Sequence, residues 1–128
     1  MKVLLINGSP NMKGCTYTAL TEVRKTLNEA GVDTEIIHVG NKDLRGCSAT
    51  FDEINKYFTI SGMPVVSSQY WNSVHGYTPE DVRKDEEGLQ SMRTLGENRA
   101  FLIKSISLGK EKFGLPEKET RIGTNFIR

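Results

Sequence analysis

Residues 2–16, KVLLINGSPNMKGCT, decide the fold of this chain. A continuous apolar run leads into a short loop rich in Gly, Ser and Thr, and residues with helical spacing follow over positions 17–30. Residues 34–39 are short and β-branched, which predicts a second strand. Strand, loop, helix and strand make one right-handed βαβ unit, so the sequence predicts an α/β fold with a parallel sheet. Because its apolar run does not alternate, the first strand, residues 2–7, is predicted to be buried on both faces.

The loop after the first strand is a candidate phosphate site. A helix start leaves backbone N–H groups unpaired and carries partial positive charge, which attracts an anion. Ser9 and Thr16 add hydroxyls, Lys13 adds a full charge, and Gly8 and Gly14 let the backbone approach a ligand closely. The glycine spacing fits neither the dinucleotide fingerprint Gly-x-Gly-x-x-Gly nor the nucleotidase loop Gly-x-x-x-x-Gly-Lys-Ser/Thr. The residues alone therefore indicate either a site for some phosphate or an ordinary tight turn.

Composition is typical of a single globular domain. The chain has 128 residues, of which 37% are hydrophobic and 26% charged, so it can bury a core and is too apolar for disorder. A net charge of +1 does not favour a nucleic-acid partner, and no apolar run is long enough for a membrane span. Two cysteines make no disulfide framework, so we expect a cytoplasmic chain with reduced thiols.

The middle of the chain predicts one helix and one strand. Thr50 and Glu53 have the spacing of a capping box, which predicts a helix that continues through Phe58 and that Gly62 ends. Residues 64–71 predict a third strand, because proline is tolerated at the start of a strand.

The C-terminal half predicts a long helical region. Thr78 is followed by a proline and two acids, which is typical of a helix start. The region is predicted to end near Phe113, with a core stripe of Leu89, Met92, Leu95, Leu102 and Ile106. Neither His38 nor His75 has a Cys or carboxylate at ligand spacing, so no metal site and no catalytic acid or base is predicted.

Two blocks of the sequence carry a family resemblance. Lys-Val-Leu-Leu-Ile-Asn-Gly-Ser-Pro-x-x-x-Gly-x-Thr at the N-terminus resembles the NADPH-dependent FMN reductase family and its iron–sulfur flavoprotein relatives, which share a flavodoxin-like fold. Residues 50–72 resemble the same family, so the resemblance covers nearly the whole chain. It implies an FMN-binding oxidoreductase that transfers a hydride from NAD(P)H to FMN and on to a small-molecule acceptor. It also implies a homodimer or higher homo-oligomer, with residues 120–128 as a candidate contact.

The resemblance also implies which residues hold the cofactor. In the family the first loop wraps the FMN phosphate, and the matching positions here are Ser9, Asn11, Lys13, Gly14, Cys15 and Thr16. Relatives often have a basic residue at the position of Asn11, a charge that Lys13 can replace, and an asparagine or serine at that of Cys15. Because the cofactor does the chemistry, no catalytic side chain is predicted. Two cysteines cannot supply the four thiolates of an iron–sulfur cluster, so a cluster within one chain is excluded.

Part of the family fold has no counterpart in this sequence. The family has five parallel strands in the order 2-1-3-4-5, and this chain resembles only the first, second and last. The missing part includes the loops that hold the isoalloxazine ring in relatives, and the join lies near residues 47–48. The resemblance therefore implies one shortened flavodoxin-like domain, residues 1–128: a three-layer sandwich with sheet order 2-1-5.

Two explanations of the missing strands stay open. Either the chain is truly shortened, which its continuous numbering favours, or the printed sequence omits a segment of the full protein. A true deletion predicts weak FMN binding. Besides a reductase, the alternatives are a flavodoxin-type electron carrier and a non-enzymatic remnant that binds phosphate or a partner through exposed sheet edges.

Overall fold

The fold is built on a two-stranded parallel sheet, in a computed structural model that describes residues 2–39 and 47–123. Strand β1, Lys2–Asn7, pairs along its whole length with strand β2, Asp33–His38. Helix α1, Cys15–Glu29, connects the two strands. The predicted βαβ unit, the parallel pairing and the α/β class are therefore confirmed, and the small sheet is consistent with a shortened flavodoxin-like fold.

Three further helices follow β2: α2, Cys47–Ile60; α3, Pro79–Val82; and α4, Glu86–Phe113. Helix α2 begins three residues before Thr50, so the predicted capping box at Thr50 is wrong. An N-cap residue needs a non-helical backbone, whereas Thr50 already lies inside the helix. None of the helices in the described part of the chain is apolar enough over a sufficient length to cross a membrane.

The predicted long helical region consists of two helices. The Thr78 hydroxyl accepts from the Asp81 N–H at 3.3 Å, and the Asp81 carboxylate accepts from the Thr78 N–H at 3.0 Å, which confirms the predicted start. After α3 the chain turns, and α4 begins with Asp85 as its N-cap. The Asp85 carboxylate accepts from the Gly88 N–H at 3.0 Å. The predicted end at Phe113 is confirmed.

The core extends from one face of the sheet to helix α1, which packs on that face, and on to α4, which packs against α1. Its buried side chains are Val3, Leu5, Ala19, Val23, Leu27, Val32, Met92 and Ala100. Of the predicted α4 stripe, Met92 is buried and Ile106 is exposed. The reason is length: α4 has 28 residues and α1 has 15, so at 1.5 Å per residue the end of α4 extends beyond its partner.

Strand β1 is buried on one face only, so the predicted burial on both faces is wrong. Val3, Leu5 and Asn7 point into the core, whereas Leu4 and Ile6 are exposed. Helix α1 lies against the first face, and no described helix packs closely on the other. The apolar run is therefore continuous in the sequence although half of it lacks cover in the described part of the molecule.

Residues 64–71 do not form the predicted third strand. No backbone hydrogen bond joins them to β1 among the described residues. They run beside α4 instead, where the Asn98 amide donates to the Ser67 carbonyl at 2.9 Å and the Thr94 hydroxyl donates to the Gln69 side chain at 3.4 Å. Polar side chains of α4 thus contact residues 64–71, which were predicted to pair with β1 as a strand. The described sheet has two strands rather than the expected order 2-1-5.

Candidate functional site

The loop between β1 and α1 is built around the side chain of Asn7. This residue ends β1 and is completely buried. Its amide nitrogen donates to the Met12 carbonyl at 3.0 Å, and its amide oxygen accepts from the Ser9 N–H at 3.1 Å. One buried side chain therefore holds both sides of the loop. No role was predicted for Asn7 from the sequence, although an amide residue at the end of an apolar strand was an available signal.

Contacts within the loop and from β2 fix its shape further. The Ser9 hydroxyl accepts from the Asn11 N–H at 3.2 Å, and the Asn11 amide oxygen accepts from the Lys13 N–H at 3.3 Å. From β2, His38 Nε2 lies 2.7 Å from the Ser9 carbonyl oxygen, which requires the ring proton on Nε2. His38 is thus a positioning residue for the loop, a role that its place in the sequence did not predict.

Helix α1 begins without a side-chain cap. Its N-cap is Gly14, and no side chain accepts a hydrogen bond from the first turn. The backbone N–H groups of Cys15, Thr16 and Tyr17 have no acceptor within the described residues. Unpaired N–H groups at the positive end of a helix attract an anion, so this turn is the part of the loop best suited to a phosphate.

The six predicted site residues all lie at the carboxyl end of β1, on the loop or in the first turn of α1. The side chains of Asn11, Lys13 and Thr16 are exposed, and that of Ser9 is half-buried. Cys15 differs, because its thiol donates to the Gly76 carbonyl at 3.4 Å and so leaves only its N–H for a ligand. Their contact with a phosphate stays a prediction.

A cavity of about 460 Å³ lies next to the segment that Cys15 contacts. Its volume is within the range of small-molecule sites. Two exposed aromatic side chains, Tyr70 and Trp71, contribute to its wall. The lining residues are Tyr70, Trp71, Ser73, His75, Glu87, Gly88 and Ser91.

Asp85 holds one wall of this cavity in place. Its carboxylate accepts from the His75 N–H at 2.6 Å and from the Gly88 N–H at 3.0 Å. These two backbone donors, with His75 first, lower the pKa of Asp85 below its ordinary value. Asp85 therefore joins the loop before α3 to the first turn of α4.

We expect this wall to loosen in acid. Since the pKa of Asp85 is lowered in the folded chain, its carboxylate stabilises the fold above the ordinary aspartate pKa of about 3.9. That contribution is lost as the pH falls through the lower folded-state value. Fluorescence of Trp71, the single tryptophan, should report the change between neutral and strongly acidic pH.

The variant Asp85→Asn tests the assignment of this acid transition. It should be less stable than the wild type at pH 7 and should show a smaller loss of stability in acid. Asp33→Asn, at an exposed position on β2, should behave as the wild type at both extremes. Equal acid profiles for Asp85→Asn and the wild type would contradict the role of this carboxylate.

Comparison with known proteins finds a family match for the N-terminal part of the chain. Residues 1–59 match the family model described as NADPH-dependent FMN reductase. The match includes β1, the candidate loop, α1, β2 and all but the last residue of α2. No curated protein and no solved structure matches the chain. The resemblance seen in the sequence is thus confirmed over residues 1–59, the segment that builds the candidate site and matches the NADPH-dependent FMN reductase family.

Proposed function

We propose that the chain binds FMN by its phosphate at the loop between β1 and α1 and acts as an NAD(P)H-dependent oxidoreductase. The three unpaired N–H groups at the uncapped start of α1 are the observation that supports this function most directly. The family match over the same residues favours FMN as the molecule that carries the phosphate.

The groups of the loop would share the phosphate in three ways. The N–H groups of Cys15, Thr16 and Tyr17 would donate to its oxygens, as would the hydroxyls of Ser9 and Thr16. The Ser9 oxygen already accepts from the Asn11 N–H, so its own proton is available for the ligand. The exposed Lys13 ammonium would offset the charge of the phosphate.

The remaining residues orient the cofactor rather than react. Bound FMN supplies the hydride chemistry between NAD(P)H and a small-molecule acceptor. Asn7 and His38 keep the loop backbone in shape through the Met12 and Ser9 contacts. Tyr70 and Trp71 offer aromatic surface to a planar ring. We place the activity in the cytoplasm, where NAD(P)H is abundant and Cys15 remains a free thiol.

Titration with FMN, followed by flavin fluorescence, tests this function. We expect saturable but weak binding, because residues 64–71 lie beside α4 and form no further strand next to β1 that could support the ring. In an assay with a quinone as electron acceptor, the protein should oxidise NADPH only when FMN is present. Bound FMN without NADPH oxidation would indicate an electron carrier, and a chain that never binds FMN would indicate a remnant; either result rejects the reductase function.

A substitution at the helix start should separate binding from stability. Gly14→Asp places a carboxylate at the N-cap. There it would accept hydrogen bonds from the free N–H groups and repel the phosphate. The new Cβ would lie 3.2 Å from Asn11 Cβ, a tight contact that requires a shift of a few tenths of an ångström in the loop backbone at Asn11. We expect FMN affinity to fall by about tenfold or more, which corresponds to ~1.4 kcal/mol, while the free energy of unfolding changes little.

The matched control for Gly14→Asp is Ser105→Asp. It adds the same charge at an exposed position of α4, far along the chain from the loop, and should leave FMN affinity unchanged. If Gly14→Asp binds FMN as tightly as the wild type, the phosphate does not lie at the start of α1.

A further inference from the structure

The cavity beside α4 contains a buried hydroxyl group that has no partner among the described residues. Ser91 lines the cavity, is 2% exposed and makes no side-chain hydrogen bond with a described residue. Its oxygen is not enclosed, because Asn72 Oδ1 is the only polar side-chain atom in the described part of the chain that is both enclosed and unpaired. A buried polar group normally has a hydrogen-bond partner. The Ser91 hydroxyl therefore faces the cavity and is available to a ligand.

Aromatic side chains form another part of the cavity wall. Tyr70 is 67% exposed and Trp71 is 71% exposed, and both line the cavity. Tryptophan is highly buried on average, so such an exposed indole at a cavity is unusual. The flat faces of these rings attract planar rings and cations. The wall therefore suits a ligand that has an aromatic body, a positive charge or both.

The aromatic segment is attached to α4 on both sides of Tyr70 and Trp71. Before them, the Asn98 amide donates to the Ser67 carbonyl at 2.9 Å. After them, the His75 N–H donates to the carboxylate of Asp85, the N-cap of α4, at 2.6 Å. A wall that is already held in place loses little conformational freedom when a ligand binds, which favours affinity.

The charge of the cavity favours a cation. Glu87, in the first turn of α4, lines it, and no lysine or arginine does so among the described residues. His75 also lines the cavity, and its Nδ1 lies 3.5 Å from a carboxylate oxygen of Asp85, which offsets a positive charge on that ring. A phosphate or carboxylate would find no fixed cation in this wall, whereas an ammonium group would find the Glu87 carboxylate.

The spacing of Glu87 and Ser91 sets the length of a ligand that contacts both. They are four residues apart, so they lie on the same side of α4 and about 6 Å apart along its axis. The longer glutamate side chain leans toward the start of the helix, which widens the distance between the two polar groups. One aromatic ring with a polar group at each end has the length to join them.

We propose that this cavity binds a small phenolic amine. Its ammonium group pairs with the Glu87 carboxylate, its ring lies against Trp71 and Tyr70, and its hydroxyl group forms a hydrogen bond with the Ser91 hydroxyl. The cavity volume of about 460 Å³ is sufficient for a molecule of this size. The site goes beyond the proposed function, because it requires neither FMN nor the loop that would hold the FMN phosphate.

Titration with tyramine, the simplest phenolic amine of this shape, tests the site. Trp71 is the single tryptophan, so its fluorescence, excited beyond the absorption of phenols, reports binding at this wall. We expect saturable binding of tyramine and at least ~10-fold weaker binding of hydroxyphenylpropionate, which carries a carboxylate instead of the amine. FMN is left out of these titrations, so their result does not depend on the proposed function.

Two substitutions test the two polar contacts separately. Glu87→Gln should weaken tyramine binding at least ~10-fold and leave the binding of ethylphenol, which has no ammonium group, unchanged. Ser91→Ala should weaken tyramine binding by about fivefold and leave the binding of phenethylamine, which has no hydroxyl group, unchanged. Glu111→Gln, at an exposed position near the other end of α4, is the matched control and should bind tyramine as the wild type does.

Urea unfolding separates these effects from a loss of structure. Because the Ser91 hydroxyl has no described partner and alanine is the better helix residue, Ser91→Ala should not lower the free energy of unfolding. Absence of saturable tyramine binding, equal affinity for hydroxyphenylpropionate, or wild-type affinity for tyramine in either variant would overturn the proposal.

Discussion

Replacing Asn7 by alanine should disorder the loop between β1 and α1 and sharply weaken FMN binding. The side chain is completely buried and joins the Met12 carbonyl to the Ser9 N–H. Its truncation removes both bonds and leaves a buried space, so we expect the free energy of unfolding to fall by about 2 kcal/mol. The N–H groups at the start of α1 would then no longer be held in position for the phosphate, and FMN affinity should fall at least ~10-fold.

Urea unfolding and FMN titration of the same samples measure the two effects. Asn28→Ala is the matched control, because the exposed Asn28 side chain makes a single surface bond with the Thr34 hydroxyl at 2.8 Å. It should change stability by less than about 0.5 kcal/mol and leave FMN affinity unchanged. An Asn7→Ala chain as stable as the wild type would contradict the role of Asn7 in the loop.

Adding one methyl group to Gly96 should destabilise the chain, whereas the same change at Gly109 should stabilise it. Both glycines lie in α4, and alanine is the better helix residue by about 1 kcal/mol. At Gly96, however, a Cβ would lie 2.9 Å from the Thr26 Cβ on α1, which is too close without movement of a helix. At Gly109 nothing lies within 4 Å of the added atom.

The sign of the change therefore reports how closely α1 and α4 pack. We expect Gly96→Ala to lower the free energy of unfolding by about 1–3 kcal/mol, the usual cost of overpacking, and Gly109→Ala to raise it by up to about 1 kcal/mol. Urea titrations followed by circular dichroism give both values. A Gly96→Ala chain that is as stable as the wild type, or more stable, would show that α4 does not approach α1 closely at Gly96.

Several features could be predicted from local sequence because local interactions decide them. The apolar run of β1 and the helical spacing of α1 lie within one βαβ unit, and both elements are confirmed. The start of α3 at Thr78 and the end of α4 at Phe113 are confirmed for the same reason. The start of α2 is the exception, since the signal at Thr50 lay inside a helix that begins earlier.

The candidate site likewise has one part that local sequence predicts and another part that only the tertiary structure shows. The unpaired N–H groups at the start of α1 follow from a strand, a glycine-rich loop and a helix in sequence order. The contacts that support this loop do not follow from sequence order, because His38 and Gly76 come from distant parts of the chain. No spacing rule relates these residues to Ser9 or Cys15, so only the tertiary structure identifies their roles.

By itself, the sequence determined the α/β class, the parallel βαβ unit, the family resemblance of residues 1–59 and the place of the candidate phosphate loop. Only the tertiary structure decided that residues 64–71 lie beside α4 and that β1 is covered on one face. The physical reason is competition between distant partners. An apolar segment with strand propensity forms a strand only if a neighbouring edge offers more than the other surfaces within reach, and here α4 supplies polar contacts to residues 64–71 instead.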